Sequence, residues 1–201
     1  MKHKIDPTND YVVKMMLARG EKSSFLIHFL NSVIEPPSPI VEVFIQDPHK
    51  HKQTEHDKLS IADSLAKDTN GNLYQIEIQN TSPSYLGPRM TFTSHAIYSS
   101  QLDSGQSYAH LNPIHSIWVL GSNMFDSPYH RHLLEIKDYN TKAELPHSKF
   151  YILELAKWQP DKPLEQMSKK ELQTLQPINY WLYFMKEAKN WLALPKPLKH
   201  V

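Results

Sequence analysis

The sequence contains no cysteine. That excludes disulfides, thiolate catalysis and cysteine-based zinc fingers. No apolar run approaches the ~20 residues needed to cross a bilayer. The N-terminal segment MKHKIDPTND lacks the apolar core of a signal peptide. The expectation is a soluble, cytoplasmic protein with no membrane partner. Strong charge of either sign is also missing, because 22 basic and 21 acidic side chains leave +1. A uniformly basic nucleic-acid coat is therefore excluded, although a local basic patch is not. Arginine is scarce: Arg89 and Arg131 are the only two from residue 20 onward.

What is present fits a folded domain. Hydrophobic residues make up 40% and charged residues 21% of 201 positions, which argues against disorder. That length favours one domain and suffices to bury its own core. The charge is uneven, with ten basic against six acidic groups in residues 142–201. This leans toward a polyanion partner reached through phosphate contacts, with a solvated helix face as the ordinary alternative.

Hydrophobic spacing gives the element order. Asp6-Pro7-Thr8-Asn9-Asp10 starts a short helix running to about Ala18. Phe25, Leu26, Phe29, Leu30 and Val33 mark an amphipathic helix over 22–35, stopped by Pro36, Pro37 and Pro39. Ile40–Ile45 alternates as a short strand, and 47–57 is a polar loop. Tyr85 to about Ser104 is helical, with Pro88 in its first turn and Gly105 beyond its end. Ile114–Leu120, the region of Leu133, Leu134 and Ile136, and Phe150–Leu155 are strands. Ser168 caps a short helix ending near Leu175, and Trp181, Phe184, Met185, Ala188 and Trp191 form a helical stripe. The stripe suits a core or homodimer face, or less simply a platform for stacked bases. The fold class is α/β: a central mixed sheet flanked by helices, with 1–158 as core and 159–201 as a C-terminal helical extension packed on it.

The chemistry concentrates in one hairpin. Leu59–Lys67 and Leu73–Gln79 both alternate with period two around Asp68-Thr69-Asn70-Gly71-Asn72. A two-residue loop would place Glu77 on the face opposite Asp63. A three-residue loop, Thr69-Asn70-Gly71, pairs Asp63 with Glu77 directly and puts a glycine where a G1 bulge needs it. It also sets small Ser64 and Ala66 against large Tyr74 and Ile76, which favours this register. Opposed carboxylates lie about 5 Å apart at Cβ and repel. Mg²⁺, held by one or two carboxylates plus waters and phosphate oxygens, resolves the repulsion. Exposure or protonation of one carboxylate, or an arginine partner, would also resolve it.

In order and spacing, these segments resemble the recombination-promoting nuclease (Rpn) and transposase family of the PD-(D/E)XK nuclease superfamily. The resemblance rests on Asp6–Lys14, Asp57–Asp63, Asn70-Gly71 and Ile76-Glu77-Ile78-Gln79. It continues through Tyr98–Leu102, Gly105, Tyr108, Asn112-Pro113-Ile114 and His147–Trp158, and so covers about residues 5–190. It implies a restriction-endonuclease-like fold and a metal-dependent DNA endonuclease acting in recombination or on mobile DNA. Asp63 and Glu77 match the two motif acids that hold Mg²⁺ or Mn²⁺, with the Ile78 backbone carbonyl as a further ligand. Asp10 matches an acid on the first helix. Gln79 stands where the superfamily usually has lysine, a form this family uses. Glutamine orients water but is no base at neutral pH, so a slow enzyme is expected. The alternative is a non-catalytic DNA- or partner-binding member of the same family. Zinc binding, by His130 with His132 or by His49, His51, Glu55 and His56, is a third candidate. Arg89 suits either a phosphate or the Glu77 cluster.

Overall fold

The structure is a computed structural model that describes residues 24–46 and 64–187. Asp10, Asp63, the histidine loop 47–57, Ala188 and Trp191 lie outside the described residues.

The described strands are β1 (Val43–Gln46), β2 (Ser64–Asp68), β3 (Leu73–Gln79), β4 (Ile114–Leu120), β5 (Arg131–Lys137) and β6 (Glu144–Glu154). They form one sheet in the order β1-β2-β3-β4-β6-β5. The first three are antiparallel, β3, β4 and β6 run parallel, and β5 returns antiparallel on β6. Parallel neighbours need a long crossover, and helix α2 (Leu86–Ser99) supplies it between β3 and β4. The expected mixed sheet flanked by helices is what forms.

Period-two alternation divides the sheet between two layers. Tyr74, Ile76, Ile117, Val119, Tyr151 and Leu153 belong to the larger core, with α1 (Ser24–Ile34) and α4 (Pro177–Glu187). On the other face, Trp118, Leu120 and Ile152 pack with Leu86 and Met90 of α2, while Leu65, Leu73 and Ile114 meet Ile97. The short helix α3 (Lys169–Thr174) begins at Ser168, where Ser168 and Glu171 form a reciprocal capping box. The aromatic stripe is spent within the chain. Trp181 and Phe184 are buried in the larger core, and the Trp181 indole donates to His28 Nδ1 at 2.8 Å. For these two residues a dimer face or a base-stacking platform is replaced by core packing.

Three boundaries differ from the sequence reading. Strand β1 starts at Val43, not Ile40, whose backbone N–H and carbonyl are both bonded to the Asn31 side chain. Helix α2 ends at Ser99, not near Ser104. The Ser99 and Ser100 hydroxyls donate back to the Ala96 and Ile97 carbonyls, and the Gln101 side chain clamps both backbone groups of Asn112. Strand β6 starts at Glu144 rather than Phe150, because a bulge opposite Glu135/Ile136 lets pairing continue past Pro146. Proline is tolerated in sheets at such irregularities. The bulge holds His147 at φ 86.

Candidate active site

The β2–β3 hairpin sets the geometry. Ser64 pairs with Ile76, Leu65 with Gln75 and Ala66 with Tyr74, the register expected for a three-residue loop. The Gly71 amide donates to the Asp68 carbonyl at 3.1 Å, and the Asp68 amide to the Asn72 carbonyl at 3.1 Å. Gly71 takes φ 91, and a Cβ there would stand 2.6 Å from Asn112 Oδ1, so only glycine fits without displacement. The buried Asp68 carboxylate locks the turn. It accepts from the Asn70 and Asn72 amides, the Asn72 side chain and the Tyr74 hydroxyl.

On the α2 face of β3, Gln75, Glu77 and Gln79 follow one another at period two. Gln75 and Glu77 are fully buried. Glu77 is held from two sides. Gln75 Nε2 donates to its Oε1 at 3.3 Å, and Arg89 Nη2 of α2 stands 3.7 Å from its Oε2. Arg89 also donates to Gln79 Oε1 at 3.1 Å and lies over the Trp118 ring. Arg89 therefore belongs to the Glu77 cluster, one of the placements open to it beside a phosphate and a surface salt bridge. The chain leaving β3 is fixed nearby. The Gly121 amide donates to the Gln79 carbonyl at 2.9 Å, and a Cβ on Gly121 would meet the Asn80 carbonyl oxygen at 2.9 Å.

Sequence reasoning missed what lies behind Glu77. The Trp118 indole donates to Ser116 Oγ at 2.9 Å, and that hydroxyl donates to Gln75 Oε1 at 2.8 Å. Gln75 Nε2 also donates to Thr93 Oγ1 at 3.1 Å. The signal was two polar residues, Gln75 and Ser116, at period-two positions of otherwise apolar strands.

It also missed the buried carboxylate of β6. Glu154 of β6 accepts from His132 Nε2 at 2.8 Å, Lys157 Nζ at 2.6 Å and the Phe125 amide at 3.1 Å, and from the Met124 amide. Burial alone would raise its pKa. The bonds from Lys157, the two amides and His132 outweigh that and hold the carboxyl below its usual range. His132 is thus committed to Glu154 and to the Tyr129 carbonyl. His130 precedes β5 rather than sharing a strand face with it. In place of zinc at His130 and His132, the structure has the His132–Glu154 hydrogen bond.

Much of the basic excess of 142–201 is likewise satisfied internally. Lys149 pairs with Glu135, Lys157 with Glu154 and Lys162 with Glu171, and Lys186 donates to the Trp158 carbonyl. Lys169 and Lys170 are exposed on α3.

Among the described residues, no cluster of three His, Cys, Asp or Glu side chains is arranged to hold a metal, and no helix is long and apolar enough to cross a membrane. The oxygen atoms that Glu77, Ile78 and Gln79 carry as possible ligands are nevertheless all hard: a carboxylate, a backbone carbonyl and an amide oxygen. That set suits Mg²⁺ or Mn²⁺, which need only one or two protein carboxylates, and does not suit a soft-ligand metal.

No curated protein and no solved structure matches the chain. The family model of the PD-(D/E)XK nuclease family transposases matches residues 7–199. With that span, a mixed sheet flanked by helices and a Glu-x-Gln on its third strand whose glutamate is buried, the chain belongs to the PD-(D/E)XK nuclease family transposases.

Proposed function

We propose that the chain is a divalent-metal-dependent DNA endonuclease acting in recombination or on mobile DNA. The observation that carries this reading is the hairpin register, which buries Glu77 on the α2 face and pairs Ser64 with Ile76. The proposal extends that ladder by one residue, to Asp63 opposite Glu77. Asp63, Glu77 and the Ile78 carbonyl would hold Mg²⁺ or Mn²⁺, with Asp10 as a further acid. A bound cation of this kind polarises a phosphodiester and lowers the pKa of a water.

The chain's own residues do the rest. Glu77 contributes charge from a strand that pairs with β4 at Glu77 itself and with β2 as far as Ile76. Gln79 orients a water or a phosphate oxygen through its amide and moves no proton. Arg89, about one-third exposed beside Gln79, can turn its guanidinium to a phosphate oxygen, a geometry suited to two parallel bonds. DNA is the substrate class the family implies. A non-catalytic DNA- or partner-binding member is the second reading, which Gln79 allows because glutamine supplies no base.

Plasmid cleavage in Mg²⁺ or Mn²⁺ separates the two. Asp63→Ala and Glu77→Ala should each abolish cleavage while the protein stays folded. Gln79→Ala should leave measurable activity, because an orienting bond matters less than the ~10²–10⁴-fold of a general acid or base. Wild-type cleavage by a folded Asp63→Ala would show the site to be misplaced. No cleavage by the wild type in either metal would favour the second reading.

A further inference from the structure

Hydrogen bonds behind Glu77 have a direction that chemistry fixes at both ends. The Trp118 indole can only donate, so it occupies a lone pair of Ser116 Oγ and leaves the hydroxyl proton for Gln75 Oε1. At the other end, Thr93 donates its proton to the Met90 carbonyl, which can only accept. Thr93 Oγ1 must then accept from Gln75, at 3.1 Å. Both constraints agree on how the Gln75 amide lies: oxygen toward Ser116, NH₂ toward Thr93 and Glu77. A flipped amide would set its oxygen against the Thr93 lone pairs and the Glu77 carboxylate. Gln75, Ser116 and Thr93 are buried, so water cannot easily substitute for a lost partner.

A buried glutamine adds nothing to the core that leucine would not add. Its cost is offset only when each polar atom is bonded, and here two strands and a helix cooperate to bond them. The result of that cooperation is an N–H aimed at Glu77 Oε1. We infer that Trp118, Ser116, Gln75 and Thr93 form a positioning chain that fixes the orientation in which Glu77 meets a divalent cation. The inference rests on the metal reading proposed above and assigns residues that make no contact with substrate. Partners that orient a ligating carboxylate typically change metal affinity 10–100-fold when removed.

The test is calorimetric titration of the full chain with MnCl₂, with a thermal melt of every variant. Wild type should bind Mn²⁺, and Glu77→Ala should lose that binding. Gln75→Leu should weaken it about 10–100-fold. Ser116→Ala, which frees the amide to flip, should weaken it about fivefold, the equivalent of one hydrogen bond. Where Gln75→Leu does not fold, Ser116→Ala decides alone. Mn²⁺ affinity within twofold of wild type in the folded variants, whatever their melting temperatures, overturns the positioning chain and leaves the metal reading intact. Wild type that binds no Mn²⁺, or Glu77→Ala that binds it unchanged, overturns the metal reading, and the positioning chain falls with it.

Discussion

Two carboxylates are buried on the same face of the sheet, on β3 and β6, and their surroundings differ in kind. Glu154 is enclosed by a nearly buried lysine, a histidine and two backbone amides. Glu77 is held by a neutral amide at 3.3 Å and by a guanidinium 3.7 Å away that is about one-third exposed. Strong, short bonds from buried cations make an anion part of the scaffold, because nothing arriving later improves on them. The Gln75 and Arg89 contacts to Glu77 are longer, and one comes from a neutral donor, so neither binds the anion as Lys157 binds Glu154. Burial alone does not separate the two acids, and the partners do.

Glu154→Ala should have the largest effect on stability. Removing one member of a buried ion pair leaves the other uncompensated, at a cost of about 3–5 kcal/mol. Glu77→Ala should cost less, about 1–3 kcal/mol, since Arg89 can return to solvent and what remains is a buried Gln75 N–H without its acceptor. Denaturant midpoints of the two variants measure the difference directly. Equal losses would erase the distinction between scaffold acid and site acid.

Acid should act on this scaffold in two windows. His115 stacks between Tyr74 and Tyr151, with ring centroids 5.3 and 5.8 Å away. Burial pushes it down to about 4, Lys149 adds to this and Asp68 opposes it. The unfolded chain therefore takes up this proton first. Stability falls as pH drops from 6.5 to about 4, by about 3 kcal/mol in all. Glu154 has linkage of the same sign at lower pH. Its lowered pKa contributes stability above the ordinary carboxylate range, and that stability is lost as pH falls through the folded value. Chemical denaturation across pH should show the upper window vanish in His115→Phe while the lower one remains. A profile unchanged by His115→Phe would remove the histidine from the account.

Gly71→Ala should come next in size. It forces a non-glycine residue to φ 91 and against Asn112, a strain of about 1–3 kcal/mol. The loss should appear in the thermal melt, and a melt matching wild type would mean that the turn relaxes freely.

The hairpin that carries the candidate site was legible in the sequence because its determinants are local. Gly71 and the alternation of small Ser64 and Ala66 against Tyr74 and Ile76 suffice to set the β2–β3 register. Ser168 and Glu171 announce the α3 cap in the same way. The rest depends on residues distant in the chain. Ser116 reaches Gln75 across 41 positions, and only the parallel register of β3 and β4 brings them together. Glu154 draws His132 from 22 positions away and Phe125 from 29. Histidines 130 and 132 suggested zinc because spacing counts ligands but cannot see that one of them already has a carboxylate. Strand β6 was read short because Pro146 interrupts the alternation that the bulge then restores.

The smallest expected effect concerns Arg89. Its ion pair with Glu77 is long and partly solvated, so Arg89→Met should change stability by less than about 1 kcal/mol. Its effect on a cation at Glu77 should carry the opposite sign. The guanidinium sits where a positive charge is already favoured and must be displaced or repelled when a divalent ion arrives. An ion pair worth about 0.5–1 kcal/mol corresponds to about 2–5-fold in affinity. Arg89→Met should therefore tighten Mn²⁺ binding by that factor at low ionic strength. The gain should shrink in 0.5 M salt, where the Debye length falls to a few ångströms. DNA affinity should move the other way, because a phosphate partner has been removed. Calorimetry with MnCl₂ at two salt concentrations, beside a DNA-binding titration, reads both signs. Weaker Mn²⁺ binding in Arg89→Met would show that the arginine supports the Glu77 carboxylate as Lys157 supports Glu154, and the contrast between the two acids would then be one of degree.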